Sequence, residues 1–569
     1  LLPLIEETRA FQQLVGAIDQ GAQDDVFGAQ SNPGVITAAR PFLVAALYRW
    51  LSRPILLLTA RAERVGQWAE QLSVWTGSGA VYRFPEPDAL PYERVPWSRE
   101  TISDRLSALT AFVRWNDSRA TLAAEEVANT PPLLIASARA LMHKTLPMRE
   151  LRMGLREYRQ GQEIDLRRTL GLWVANGYRP ESVVEEPGTF GRRGGLVDVF
   201  PPNEPYPVRI ELFGDEIDSL RVFDPTTQRS LDRIERFVLA PATEALPRLA
   251  PPTAQRLSGA EPDMEALDLS LCHPPARMEY ERDMEALEHG TFFRGIEFYL
   301  PLLYSHPATV LSYLPPGGLC IVDDWSALVA NVEEMDHQAQ TLRADLVKAG
   351  ELPSNFPAHG APHFSWQLLD EALLALGERG PLVLGGIGVQ DRPKPSSVGR
   401  AFSLGERFGG QLKRVLDGCQ DMREAGDRVV LVTRQARRIS ELLAEQDITA
   451  KPVENVTEPP APGSLTLVQG TLAEGWTLRP GVFQEPATGV STSTGPALRV
   501  LTDAEVFGWA RPVPRRARRH RPVAPEAFFA DVQPGSYVVH VEHGIGLFQG
   551  LTKMAVSGGE REYLLVEYS

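Results

Sequence analysis

Cysteine is nearly absent: Cys272, Cys320 and Cys419 are the three in 569 residues, far apart and without a CxxC pair. That spacing supports neither a disulfide framework nor a zinc site, and it fits a reducing cytoplasm. No apolar run approaches the roughly 18 residues needed to cross a bilayer, and no signal peptide is recognisable, so no membrane partner is expected. Basic charge is short as well. Against 73 Asp and Glu stand 58 Lys and Arg, a net charge of −15, which argues against a broad grip on nucleic acid. The composition, 43% hydrophobic and 23% charged, is that of a globular protein with room for about four domains. The sequence opens at Leu1 without a methionine and stops at Ser569 inside what reads as a strand, so a fragment of a longer protein is expected.

From Pro33 to about Pro147, helix and strand patterns alternate. An apolar helix (Phe42–Leu51) leads to a buried strand (Ile55–Thr59), a helix with Val65, Trp68, Leu72 and Trp75 on one face, and a strand (Val81–Phe84). Leu133–Ser137 gives a further strand and Arg139–Lys144 a helix. Alternation of this kind predicts a parallel, doubly wound α/β sheet, an architecture that commonly binds nucleotides. A phosphate cradle would need G-x-x-x-x-G-K-[ST] before the first helix. The stretch there, Asn32 to Pro41, begins at Gly34 but ends Ala39-Arg40-Pro41, with proline where a hydroxyl should meet magnesium. It reads as a degenerate P-loop with Thr37 and Arg40 as remnants. The acidic partner strand is Leu319–Ser326, whose Asp323 and Asp324 could equally well just end a strand. No catalytic residue and no metal site is expected.

Gly188–Pro225 reads GTFGRRGGLVDVFPPNEPYPVRIELFGDEIDSLRVFDP. Turns at Gly194-Gly195 and Gly214-Asp215 separate alternating strands at Leu196–Phe200, Val208–Phe213 and Ile217–Phe223. Arg209, Glu211, Asp215, Glu216, Asp218 and Arg221 would line the solvent face of this meander. The wording resembles the UvrA-binding domain of the excision-repair protein UvrB, a signature shared with the transcription-repair coupling factors. Two features separate these families. The Ala89–Trp97 stretch (ALPYERVPW) runs straight into the helix expected over Thr101–Val113, leaving no room for the damage-probing hairpin of UvrB, and Tyr92 is expected to pack. The nucleotide loop lacks GK[ST], and the DESH-type end of its partner acidic strand is replaced by Asp323-Asp324-Trp325-Ser326.

Arg277–Phe298, Leu311–Leu314 and Gly350–Phe356 resemble the UvrB frame returning after its insertion. Gly385–Gly388 reads as a turn at the end of that frame. A separate small α/β unit follows, with helices over Gly409–Ala425 and Gln435–Glu445, strands at Arg428–Thr433, Leu465–Val468 and Leu498–Thr502, and a flexible loop over Gly481–Gly495. Arg511–Pro522 is a proline-bounded basic run, expected to be a solvated tether rather than a nucleic-acid contact. Pro534–Leu551 resembles the RNA-polymerase-interacting module shared by coupling factors and CarD-type regulators, a Tudor-like barrel. His540 and His543 fall on opposite faces of a strand and are not expected to bind metal. His359 and His363 are spaced for a helix that Gly360 and Pro362 forbid.

The expected fold class is thus multidomain α/β: a degenerate P-loop-type parallel domain (1–150 and 251–390) with an inserted α+β UvrA-binding domain (151–250), a small α/β spacer (391–510), a linker (511–527) and a truncated barrel (528–569). This order resembles the N-terminal portion of the transcription-repair coupling factor family. The resemblance implies an adaptor that contacts the RNA polymerase β subunit and UvrA, while an ATP-driven double-stranded DNA translocase outside this chain does the chemistry. ATP and magnesium are therefore expected for that motor only, and a cytoplasmic monomer is expected. The UvrA contacts implied are Arg179, Arg192, Arg193, Phe200, Arg209 and Phe213; the polymerase contacts are Leu547, Phe548, Leu551, Tyr563, Leu564 and Val566. The alternatives are a UvrB-like ATPase subunit and a CarD-like transcription regulator.

Overall fold

The computed structural model describes residues 1–19, 34–120, 130–257, 267–304, 306–356, 361–377, 380–386, 397–445, 448–480, 482–484, 491–493, 495–508, 535, 537–540, 544–556 and 559–567. The basic run at 511–522, His359 and His543 lie outside them. Two compact units result, Leu1–Ala510 and Arg511–Ser569.

The frame of the first unit is a five-stranded, all-parallel sheet. Its order across the sheet is Leu382–Val383, Leu319–Val322, Ile55–Thr59, Leu133–Ser137 and Val81–Phe84. ILLLT, LLIAS and LCIV are buried at every position, as expected of parallel strands covered by helices on both faces. The chain moves outward from Ile55–Thr59 to Val81–Phe84, returns to Leu133–Ser137, and much later places Leu319–Val322 on the other side. The order of strand addition therefore reverses between Ile55–Thr59 and Leu319–Val322, while every pair stays parallel. In such sheets the crevice at the carboxyl ends of the strands flanking the reversal is where ligands bind.

Between the third and fourth frame strands the chain builds a six-stranded sheet ordered Ser230–Ile234, Glu216–Phe223, Val208–Phe213, Leu196–Phe200, Thr189–Arg193 and Arg179–Pro180. All neighbours are antiparallel except the last pair. Trp173 from the Leu166–Ala175 helix, Tyr178, Phe190, Val197, Val199, Ile210 and Leu220 form its core.

The third sheet, ordered Phe402–Leu404, Trp476–Leu478, Leu498–Thr502, Arg428–Thr433, Leu465–Gln469 and Pro452–Val453, is mixed. One face packs on the helices Leu412–Glu424 and Ala436–Ala444. The other face shares a core with the frame: Phe402 and Trp476 close on Phe42, with ring centroids 6.4 and 4.4 Å away. The unit expected to be separate is therefore joined to the frame through an apolar interface. Within the expected Gly481–Gly495 loop, Val482–Gln484 pairs antiparallel with Ser491–Ser493, so part of it is a short hairpin. Val482 and Phe483 supply the β-forming residues that the Ser/Thr/Gly composition obscured.

The second unit contributes three antiparallel strands, Tyr537–His540, Gly544–Val556 and Gly559–Glu567. A bulge at Phe548–Gly550 interrupts the long pairing, with Gly550 at φ +139°.

Candidate functional site

At the reversal crevice the carboxyl end of Leu319–Val322 delivers Asp323, which is 4% exposed. Arg40, the first residue of the Arg40–Leu51 helix, donates from Nη1 to Asp323 Oδ1 at 2.8 Å and to its carbonyl at 2.9 Å. Arg64 Nη2 and Trp68 Nε1, from the Ala62–Thr76 helix, reach Oδ2 at 2.9 and 3.1 Å. Burial alone would raise the Asp323 carboxyl, but the Arg40 and Arg64 charges and hydrogen bonds outweigh it and hold the group below its ordinary value. Asp324 is used differently: its Oδ1 accepts from the Ala327 amide and caps the Trp325–Ala349 helix. Thr37 lies exposed in a short 3₁₀ turn, Thr37–Ala39, before Arg40. Of the four crevice residues expected from sequence, the structure thus brings two, Arg40 and Asp323, into contact. Arg64 and Trp68 were not singled out, because a helical arginine and an apolar-face tryptophan carry no motif.

On the inserted sheet, Arg192 and Arg193 lie exposed at the Gly194-Gly195 turn, where Arg192 Nε donates to the Gly194 carbonyl and Arg193 Nη2 to that of Ser182. Phe213 ends the Val208–Phe213 strand, one strand beyond Leu196–Phe200, and is 82% exposed; the neighbouring Leu212 amide bonds the Gly195 carbonyl, which ties the two turns together. Arg179 pairs in register with Thr189, four residues or about 13 Å along the strand from Arg193. Its guanidinium is 3.8 Å from Glu186 and 5.9 Å from the Phe292 ring centroid.

Two expected contacts are corrected. Phe200 is buried with Val184 and Phe223, so its ring cannot meet a partner. Arg209 is a bidentate partner of Asp198, at 2.7 and 2.9 Å, and stacks on Phe223 at 4.6 Å. Cross-strand pairing places Arg209 directly opposite Asp198, which spends the guanidinium inside the sheet.

In the second unit, Leu547 is half-buried and Leu565 is 54% exposed, whereas Phe548 is buried and not available as a surface contact. Leu547 and Phe548 are neighbours in one strand, so their side chains fall on opposite faces and only one of the two can meet a partner. Leu551 pairs with Leu564, Thr552 with Tyr563 and Phe548 with Val566 along the backbone. Where the side chains of Leu551, Tyr563, Leu564, Val566 and His540 point lies outside the described residues.

Residues 157–244, the inserted sheet, match the UvrB interaction domain family, and residues 532–569 match the CarD-like/TRCF RID domain family. The whole chain is similar to curated proteins named transcription-repair-coupling factor. The protein from Myxococcus xanthus is 29% identical over 99% of this chain, and that from Bacillus subtilis (strain 168) 23% identical over 99%. The chain spans 45% of the length of each. With both domain matches in this order and similarity along nearly all of its length, the chain is similar to part of the transcription-repair-coupling factors.

Proposed function

We propose that this region is the adaptor of a coupling factor. The inserted sheet engages UvrA, the second unit engages the RNA polymerase β subunit, and a DNA translocase elsewhere in the protein supplies the ATP-driven displacement of stalled polymerase. The observation that carries the reading is the presence in one chain of a UvrB interaction domain and a CarD-like/TRCF RID domain. The exposed Arg192, Arg193 and Phe213, with the half-buried Arg179, form a cationic and aromatic surface suited to an acidic partner. Arginine forks hold carboxylates bidentately, and charge pairs at an interface set partner choice and on-rate.

In this reading the frame crevice binds no nucleotide and the region needs no cofactor. The Arg40–Asp323 pair supports it, because the two groups that would face phosphate and magnesium neutralise each other. The three strands of the second unit are taken as part of a Tudor-like barrel, with Leu547, Leu551 and the Tyr563–Val566 strand on its contact side.

The test is a pull-down with UvrA. Arg179→Glu combined with Arg193→Glu should abolish capture while shifting the melting temperature by no more than a few degrees, as surface changes usually do. Equal loss of capture and stability would assign the two arginines to the fold instead. On the polymerase side, Leu551→Arg should weaken β-subunit binding in the full-length protein; unchanged binding would move that interface elsewhere.

A further inference from the structure

A cavity of about 100 Å³ lies against the Leu90-Pro91 loop and shares no lining residue with the crevice or the inserted sheet. Its walls are apolar: Leu90 and Pro91 above, Met142 from the Ala138–Met142 helix on one side, and Met335 from the Trp325–Ala349 helix on the other. Two imidazoles complete it, His143 and His363, joined to each other by an antiparallel backbone bridge. Neither Nδ1 has a hydrogen-bond partner among the described residues. A second, smaller cavity shares Leu90, Pro91 and His143 and is also lined by Tyr92. Tyr92 holds this loop at φ +74°, a left-handed conformation that a tyrosine adopts only under constraint from its surroundings.

The chemistry narrows what could enter. Asp336 is spent on His363 Nε2 at 2.7 Å, so the neutral form of that ring would carry its proton there and present Nδ1 as an acceptor. Arg139 is spent on Glu86 at 3.3 Å and on the Pro87 carbonyl at 2.8 Å. Burial foremost, and then the Arg105 charge, hold the His143 imidazole well below its usual range, which keeps that ring neutral. With both charges already paired, an ionic ligand would lose its hydration for no new partner. Water is a poor occupant too: the volume would hold roughly three molecules, yet the walls offer few of the two to four polar partners each one needs.

We propose that this cavity is a binding site for a small neutral molecule with an apolar ring and a hydrogen-bond donor, phenol being the simplest example. The ring takes the place between the two methionines and the donor satisfies an imidazole nitrogen. A largely apolar pocket with a few convergent polar groups is the common form of a small-molecule site. The inference does not depend on the adaptor reading.

The test uses the whole chain labelled with ¹³C at the methionine methyls, with Met142 and Met335 assigned from their leucine variants. Phenol should shift both methyls at millimolar concentration and bind about tenfold more tightly than toluene, which has the ring without the donor. Ala339→Phe from within and Leu342→Trp at the rim should each abolish the shifts, and His143→Phe should narrow the preference over toluene. Absence of any shift with phenol, or equal binding of toluene, would overturn the proposal.

Discussion

Arg40 and Asp323, 283 residues apart in sequence, form an ion pair at 2.8 Å across the carboxyl end of the frame sheet. The arginine stands where a phosphate-binding lysine would follow Gly34, and the aspartate where a strand would present an acid to magnesium. The guanidinium also lies against Gly385, where an added Cβ would be 2.1 Å from Nη2, so that glycine leaves the space the arginine fills. The crevice closes on itself.

Asp323→Asn is the sharpest probe of this closure. It leaves Arg40 and Arg64 without their carboxylate, and a broken buried pair costs about 3 kcal/mol, less here because Arg64 is 34% exposed. The sign with pH follows from the depressed carboxyl. Its stabilisation is fully present above the unfolded value near 3.8 and is lost as pH falls through the folded value. The gap between wild type and variant in denaturant melts should therefore be constant from pH 8 to 5 and shrink below pH 4. ATP with magnesium should shift neither melting curve; a nucleotide-dependent rise in wild type would reopen the crevice.

Arg105 and Glu244 are fully buried, bonded at 2.5 and 3.1 Å, with the guanidinium 4.0 Å from the Phe84 ring centroid. They tie the Arg99–Ala120 helix to the segment returning from the inserted sheet. Arg105→Met should cost about 3–5 kcal/mol by stranding the carboxylate, and Glu244→Leu a similar amount by stranding the guanidinium. The double variant should recover most of that loss in urea denaturation, because neither charge is then left unpaired. A double loss as large as either single loss would show that the pair itself, rather than the avoidance of a lone charge, stabilises the junction, and additive losses would show the two side chains to be uncoupled.

Glu297 gives the opposite pH signature. It is 4% exposed, and burial pushes its carboxyl up to about 7 from 4.5. The folded state then keeps a proton that the unfolded state releases, so stability should fall as pH rises from about 4.5 to 7 and level off above. The total is up to about 3 kcal/mol. Glu297→Gln should remove the slope and be more stable than wild type at pH 8; calorimetry at pH 5 and pH 8 checks this.

Phe213 and Phe200 separate binding from folding on the inserted sheet. Phe213→Asp changes an 82% exposed ring and should leave stability within about 0.5 kcal/mol while weakening UvrA capture. Phe200→Ala opens a hole beside Phe223 and should cost about 3 kcal/mol whatever happens to capture. Unchanged capture by the Phe213 variant would shift the contact toward Arg179.

The strands were legible where the chain writes them in a single period. Ile55–Thr59, Leu133–Ser137, Val81–Phe84 and Arg428–Thr433 fall where continuous or β-branched apolar runs put them, since local pattern alone decides burial there. Helix ends were less legible. The helix expected over Thr101–Val113 runs from Arg99 to Ala120, because a mostly polar face gives no signal of where the periodicity stops. Exposed contacts at turns, such as Arg192, Arg193 and Phe213, could also be read from sequence, since a tight turn leaves its flanking side chains outside.

By itself the sequence determined the α/β alternation, the meander with its family wording, and the loss of the lysine and hydroxyl from the phosphate loop, all of which depend on neighbouring residues. Only the tertiary structure decided which charges are free. Arg209 opposite Asp198 depends on strand register, Arg40 with Arg64 on Asp323 depends on where the strand order of the frame reverses, and Phe402 with Trp476 on Phe42 depends on how two sheets pack. None of these pairings is written in a local period of the sequence, and a partner's identity is fixed only once the backbone has brought it within hydrogen-bond or van der Waals reach.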